Sequence, residues 1–186
     1  MPDYAEITGS LTARDGIQLF YRAYQVNDPK AGAVLVHGLG EHSGRYEHLV
    51  SKLSESGISL WTGDHRGHGR SGGRRGHVTH FDQYIDDLQL LVEKAREELG
   101  DGKKLFMIGH SMGGLIAIHF AIRLGDKIDG LVLSSPALGM RVAVPAIKET
   151  LGKLMSNLWP TLSMENGLPT DKISHDEEVV RDYEND

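Results

Sequence analysis

Short apolar runs alternate with longer amphipathic segments along most of the chain. Each run has the length and composition of a buried strand in a parallel sheet. The segments between the runs repeat apolar residues at the spacing of a helix with one buried face. This alternation predicts an α/β fold with a parallel sheet and right-handed crossovers. The predicted strands are 33–36, 58–61, 105–108 and 130–134, and the predicted helices are 45–55, 81–99 and 115–124.

The N-terminal part has a different pattern, typical of an antiparallel hairpin. Residues 4–24 contain two predicted strands joined at Asp15-Gly16, a dipeptide that favours a tight turn. After the turn, Ile17, Leu19 and Tyr21 occupy every second position, which predicts that one face of the second strand is more buried. The predicted fold class is therefore α/β, with an antiparallel hairpin followed by a mostly parallel sheet flanked by helices.

The pattern changes again near residue 137. We expect a division into a core, residues 1–136, and a partial helical cap, residues 137–186. Residues 144–158 carry apolar residues at helical spacing, and a capping box opens a predicted polar helix at 176–183. The helix at 144–158 has three open roles: core packing, a lid over an apolar substrate, or weak contact with a membrane surface. Its two lysines make the membrane role the least favoured.

Composition and charge exclude several classes of function. Hydrophobic residues make up 39% and charged residues 25% of the 186 residues, as in ordinary globular proteins. A net charge of −6 argues against nucleic acid as a partner. We expect neither a transmembrane helix nor a signal segment. The absence of cysteine excludes disulfides and thiolate metal sites, and favours a cytoplasmic protein.

The ten histidines are the main hint of a metal site in the sequence. They are scattered along the chain and show no H-E-x-x-H spacing. Loop and core positions are therefore the favoured interpretation, and no metal ion is predicted.

One stretch carries a specific chemical signal, Gly109-His110-Ser111-Met112-Gly113. It matches the G-x-S-x-G pattern of a nucleophile elbow, in which a strand turns at once into a helix and projects the serine hydroxyl. The pentapeptide alone is equally consistent with a glycine-rich turn that has no chemistry. A buried strand before it and a helix after it favour the elbow.

A second glycine-rich loop, His37-Gly38-Leu39-Gly40, follows the strand at 33–36. Small residues free backbone amides to converge on one point, where they can stabilise an oxyanion. Without the elbow, a simple strand-to-helix turn would be preferred. The polar loop at 63–73 lacks the ending of a phosphate-binding P-loop, and we expect its Asp64 and Arg66 to fix the turn rather than catalyse.

These motifs together resemble those of the α/β-hydrolase fold, and more narrowly those of the monoacylglycerol lipase and lysophospholipase group. This group is often classified with serine aminopeptidases. The resemblance covers nearly the whole chain and rests on residues 37–46, 64–71, 109–114 and 174–183. It implies that Ser111 is the nucleophile and that the amides of Leu39 and Met112 form the oxyanion hole. It also implies an acyl-enzyme, a lipid ester as substrate, an apolar pocket under the cap, and no metal or organic cofactor.

The resemblance also implies a gap in the catalytic apparatus. In this fold the triad runs in chain order Ser, Asp or Glu, then His, and the last two follow the cap. We therefore expect the sheet to lack its last strands and the 186-residue chain alone to be inactive. We do not expect another histidine of the chain to replace the base. The candidates lie in the elbow, in the oxyanion loop, in or beside the loop after the second parallel strand, and in the cap: His110, His37, His65, His68, His77, His80 and His175.

The sequence is consistent with two classes of function. The favoured one is the N-terminal part of a lipase-like serine hydrolase, with a peptidase or thioesterase of the same fold as a variant. The other is a non-catalytic module that keeps the acyl pocket. The aliphatic character of the cap around Leu151, Leu154 and Leu158 favours an acyl chain over a peptide.

Overall fold

A six-stranded sheet organises the computed structural model, which describes residues 4–139, 176, 177, 180 and 181. The strand order is β1-β2-β4-β3-β5-β6; β1, β2 and β4 pair antiparallel, and all other pairs are parallel. This confirms the predicted hairpin and parallel sheet. The strands are β1 (Tyr4–Thr12), β2 (Gln18–Val26), β3 (Ala31–Val36), β4 (Ile58–Gly63), β5 (Lys104–His110) and β6 (Gly130–Ser134).

Three helices connect the parallel strands, as the apolar spacing predicts. They are α1 (Glu47–Glu55), α2 (Asp82–Leu99) and α3 (Met112–Leu124). Short 3-10 helices precede α1, at Ser43–Tyr46, and follow α3, at Gly125–Lys127.

The core forms two apolar layers, one on each face of the sheet. On one face, α2 and α3 bury Ile85, Val92 and Phe120 against β3, β4 and β5. On the other face, Val50 of α1 packs with Leu35 and Leu60. Strands β3 and β4 are thus covered on both sides, as their continuous apolar sequences predict.

The expected alternation in β2 is only partly correct. Leu19, Phe20 and Tyr21 are all buried, so both faces of β2 are covered at this point. The Phe20 ring, on the opposite face from Leu19 and Tyr21, is covered by the Arg70 guanidinium at 4.0 Å from its centroid. A loop residue far along the sequence therefore completes this face of the strand.

Strand β6 ends the sheet of the described residues on the side away from the hairpin. Val132 and Leu133 on it are exposed, and so is Phe106 on the neighbouring strand. Apolar side chains are thus uncovered at this edge.

The predicted helix at 144–158 and most of the predicted cap lie outside the described residues. In the last predicted helix, Glu177, Val180 and Arg181 are helical, and the Val180 N–H donates to the Asp176 carbonyl at 3.1 Å. Within the part of the chain that the structure describes, no helix has both the length and the apolarity to cross a membrane.

Candidate active site

Ser111 alone makes the turn from β5 into α3. The strand ends at His110 and the helix begins at Met112, so Ser111 adopts φ 50° and ψ −118°. A serine rarely occupies this region, and holding it there costs about 1–3 kcal/mol. The surrounding backbone fixes the conformation: the Ser111 N–H donates to the Ser134 carbonyl (3.0 Å), and its carbonyl accepts from the Ala137 N–H (3.0 Å).

Two glycines allow the close approach that this turn requires. A Cβ added at Gly113 would run into the carbonyl oxygens of Val36 and His37. A Cβ added at Gly109 would lie 2.8 Å from the Gly113 carbonyl oxygen and 2.9 Å from the Cβ of Ala117. The elbow glycines are therefore a packing requirement of this site.

The Ser111 hydroxyl is not used to cap α3. Ser111 holds the N-cap position but makes no side-chain cap hydrogen bond, although serine at that position commonly does. The side chain is half-buried and lies at the positive end of the helix dipole, where negative charge is stabilised.

His37 is a fully buried anchor of the neighbouring loop. Its Nε2 accepts from the His65 backbone N–H (3.0 Å), so the ring proton lies on Nδ1, which donates to the Gly38 carbonyl (2.8 Å). The His65 ring in turn donates from Nε2 to the His37 carbonyl (2.9 Å). Burial lowers the pKa of His37 to about 3, so its ring is neutral.

The predicted oxyanion loop packs directly against Ser111. A Cβ added at Gly38 would lie 3.3 Å from the Cβ of Ser111. Leu39 and Gly40, the next residues, are exposed, and Gly40 turns the chain at φ 69°. Within the described ranges, the N–H groups of Leu39 and Met112 donate no hydrogen bond, so both donors remain available.

His110 adjoins Ser111 but is engaged elsewhere. Its Nδ1 lies 3.2 Å from the hydroxyl of Ser134, and its Nε2 lies 3.8 Å from a carboxylate oxygen of Glu41. The other buried histidines also have structural partners: His68 donates from Nδ1 to the Arg66 carbonyl (3.1 Å). Over residues 4–139, no hydrogen bond joins a histidine to the Ser111 hydroxyl.

Asp64 and Arg66 hold the loop after β4, as expected. The two Asp64 carboxylate oxygens accept from the backbone N–H groups of Ser43 and Arg70, each at 2.7 Å. Arg66 forms a bidentate ion pair with Asp87 at 2.6 and 2.7 Å. Among the residues for which the structure gives positions, no group of three His, Asp or Glu side chains is arranged to hold a metal ion.

The sequence pattern predicts no role for two residues of the site, Glu41 and Tyr46. Glu41 accepts hydrogen bonds from the Gly38 N–H (3.0 Å) and from the Tyr46 hydroxyl (2.6 Å). Glu41 and Tyr46 lie in the same motif as His37, and their place in that motif was the signal available in the sequence. Their spacing alone does not reveal that the carboxylate folds back onto the loop.

Comparison with known proteins identifies the family. A family model described as "Serine aminopeptidase, S33" matches residues 27–186. The chain belongs to this family. It is 34% identical over 172 residues to a monoacylglycerol lipase of Mycolicibacterium smegmatis, covering 92% of this chain and 61% of that protein. It is also 34% identical to a phospholipase of Bacillus subtilis, covering 88% of this chain and 62% of that protein.

A solved structure confirms the α/β-hydrolase fold. The crystal structure of a monoacylglycerol lipase from Paleococcus ferrophilus matches with a TM-score of 0.77 and 37% identity. The match covers 90% of this chain and 62% of that structure. The chain thus spans about three fifths of the length of these relatives.

Proposed function

We propose that this chain carries the nucleophile and oxyanion hole of a serine hydrolase that cleaves lipid esters of the monoacylglycerol or lysophospholipid type. The observation that carries the proposal is the strained Ser111 at the junction of β5 and α3, with its hydroxyl free of a capping role. Strain of this kind at a buried junction is characteristic of functional sites.

In the proposed reaction, the Ser111 hydroxyl attacks the ester carbonyl carbon. The negative charge that develops on the carbonyl oxygen is stabilised by the amides of Leu39 and Met112 and by the positive end of α3. The alcohol then leaves, and water hydrolyses the acyl-enzyme to release the fatty acid and the free serine. The remaining residues of the proposed site shape the elbow (Gly109, His110 and Gly113) and the oxyanion loop (His37, Gly38 and Gly40).

The general base and its acidic partner lie outside the described residues in this proposal. His37, His65 and His68 are buried in structural hydrogen bonds, and His110 faces Ser134 and Glu41. The relatives are longer than the part that this chain matches, and the resemblance puts the Asp and His of the triad after the cap. The 186-residue chain alone is therefore expected to be inactive or nearly so.

Two exposed apolar residues favour an acyl chain as part of the substrate. Leu39 is 48% and Leu138 is 69% exposed. Leu39 follows Gly38, where an added Cβ would lie 3.3 Å from that of Ser111, and Leu138 follows Ala137, whose N–H donates to the Ser111 carbonyl. Leaving such side chains open to water suits a surface that binds apolar ligands. A cap formed by residues 137–186, weak membrane contact through it and a cytoplasmic location complete the proposal.

The test is hydrolysis of a monoacylglycerol and a lysophospholipid by the full-length protein, meaning the whole product of the gene that encodes these 186 residues. Ser111→Ala is expected to abolish turnover of whichever ester is cleaved, and Ser135→Ala, which removes an exposed hydroxyl from the nearby loop, to leave it unchanged. Hydrolysis that survives in Ser111→Ala would refute the nucleophile. Ester binding without turnover would support the acyl-binding module instead, and cleavage of aminoacyl amides would support the peptidase variant.

A further inference from the structure

The loop between β3 and α1 folds back so that one carboxylate holds its first amide. Glu41 Oε2 accepts from the Gly38 N–H at 3.0 Å and from the Tyr46 hydroxyl at 2.6 Å. Burial, and then the hydrogen bond to Glu41, raise the pKa of Tyr46, so its hydroxyl stays protonated and donates. The carboxylate is thereby held by a residue near the start of the loop, Gly38, and by a residue near its end, Tyr46.

The two peptide groups that flank Gly38 are held at three of their four polar atoms. In the first group, the His37 carbonyl accepts from His65 Nε2 (2.9 Å) and the Gly38 N–H donates to Glu41 (3.0 Å). In the second, the Gly38 carbonyl accepts from His37 Nδ1 (2.8 Å). The fourth atom is the Leu39 N–H. Since N–H and C=O point in opposite directions across a trans peptide, the held Gly38 carbonyl sets where that N–H points, and the two held atoms of the first group restrict rotation about Gly38.

Glu41 holds the Gly38 amide at a point close to the nucleophile. A Cβ added at Gly38 would lie 3.3 Å from Glu41 Oε2 and 3.3 Å from the Cβ of Ser111. The carboxylate and the serine side chain thus approach the same side of Gly38. The other carboxylate oxygen lies 3.8 Å from Nε2 of His110, the residue before Ser111.

We infer that Glu41 is a positioning residue for the oxyanion hole: it holds the Gly38 amide so that the Leu39 amide is aimed at the developing oxyanion. The inference rests on the proposed function, because the direction of the Leu39 amide affects a reaction only if Ser111 attacks a carbonyl. Oxyanion donors act on the transition state more than on the bound substrate, so their misalignment lowers kcat and leaves KM nearly unchanged.

The experiment compares three variants of the full-length protein with a cleaved lipid ester as substrate. Glu41→Ala is expected to lower kcat about 10- to 100-fold, somewhat less than removal of an oxyanion donor, with KM within about twofold. Glu41→Gln keeps an acceptor oxygen of the same reach and is expected to restore most of kcat. The matched control is Glu47→Ala, which removes an exposed carboxylate from the start of α1.

Tyr46→Phe provides a second route if Glu41→Ala does not fold. It removes only the hydroxyl that orients the carboxylate and is expected to lower kcat several-fold. An unchanged kcat in folded Glu41→Ala or in Tyr46→Phe, or a loss in Glu41→Gln as large as in Glu41→Ala, would overturn the inference. Ser111→Ala separates the two claims: if that variant keeps its activity, the proposed function fails, whereas an inactive Ser111→Ala beside a fully active Glu41→Ala refutes only the positioning role.

Discussion

The buried histidines make the fold sensitive to acid, and His37 allows the effect to be calculated. Its ring is fully buried and neutral, with a pKa lowered by burial from the ordinary 6.5 to about 3. In the unfolded chain the ring titrates at its ordinary value, so below pH 6.5 unfolding takes up a proton that the native state does not bind. Stability is therefore complete above about pH 6.5 and is lost as the pH falls from 6.5 toward 3.

The expected magnitude follows from the two pKa values. At pH 5 the unfolded ring is almost fully protonated and the native ring almost fully neutral, so His37 alone removes about 2 kcal/mol of unfolding free energy relative to pH 8. Burial also lowers the pKa of His65 and of His68, which adds to the loss in the same direction. A loss of this size is a large fraction of the stability of a typical domain.

The assay is urea unfolding at pH 8, 7, 6 and 5, followed by far-UV circular dichroism. His37→Asn is expected to lose about 2 kcal/mol less than the wild type between pH 8 and pH 5, whatever its absolute stability. Val50→Ala, a buried substitution on α1 that removes no titratable group, should lower the stability but follow the pH dependence of the wild type. If wild type and His37→Asn lose equal free energy over this range, His37 is not a buried neutral histidine and the reasoning is refuted.

Substitutions at the elbow and in the core have further expected outcomes, each measurable as an unfolding free energy. Gly113→Ala drives a Cβ into two backbone carbonyls and should cost about 3 kcal/mol or more, whereas Gly125→Ala, with open space around the added Cβ, should be neutral or slightly stabilising; equal effects would contradict the close packing of the elbow. Ser111→Gly relieves the strain at φ 50° and should stabilise the fold by about 1 kcal/mol; a less stable variant would argue against strain. Asp87→Ala leaves the buried guanidinium of Arg66 without its bidentate partner and should cost about 3 kcal/mol; a loss below about 1 kcal/mol would show that the pair is exposed in solution.

The parallel strands could be predicted because their sequences are continuous apolar runs, as expected of strands with two buried faces. Strand β6 was predicted with the bounds that it has, although Val132 and Leu133 on it are exposed in the structure. The first parallel strand begins two residues before its predicted start, at Ala31. Ala31 and Gly32 pair with β4 and β5 through the backbone, and their small side chains give no apolar signal.

The details that depend on distant partners could not be predicted. Phe20 is covered by Arg70, 50 positions along the chain, and neither residue indicates this in its own neighbourhood. The elbow was found from a local pattern, although only part of the steric demand behind it is local. Glycine at 109 is required by residues 113–117, whereas glycine at 113 is required by the carbonyls of Val36 and His37 on the neighbouring strand and loop. The contact between Glu41 and the Gly38 amide is also local, but it depends on a loop conformation that no periodicity encodes.

The most direct test of the proposed nucleophile is covalent labelling of the full-length protein with a fluorophosphonate, followed by peptide mass spectrometry. We expect one phosphonyl adduct, located on Ser111 within the peptide that spans the junction of β5 and α3, and no adduct in Ser111→Ala. An adduct on another serine, or a folded and ester-cleaving protein that does not react at Ser111, would contradict the account.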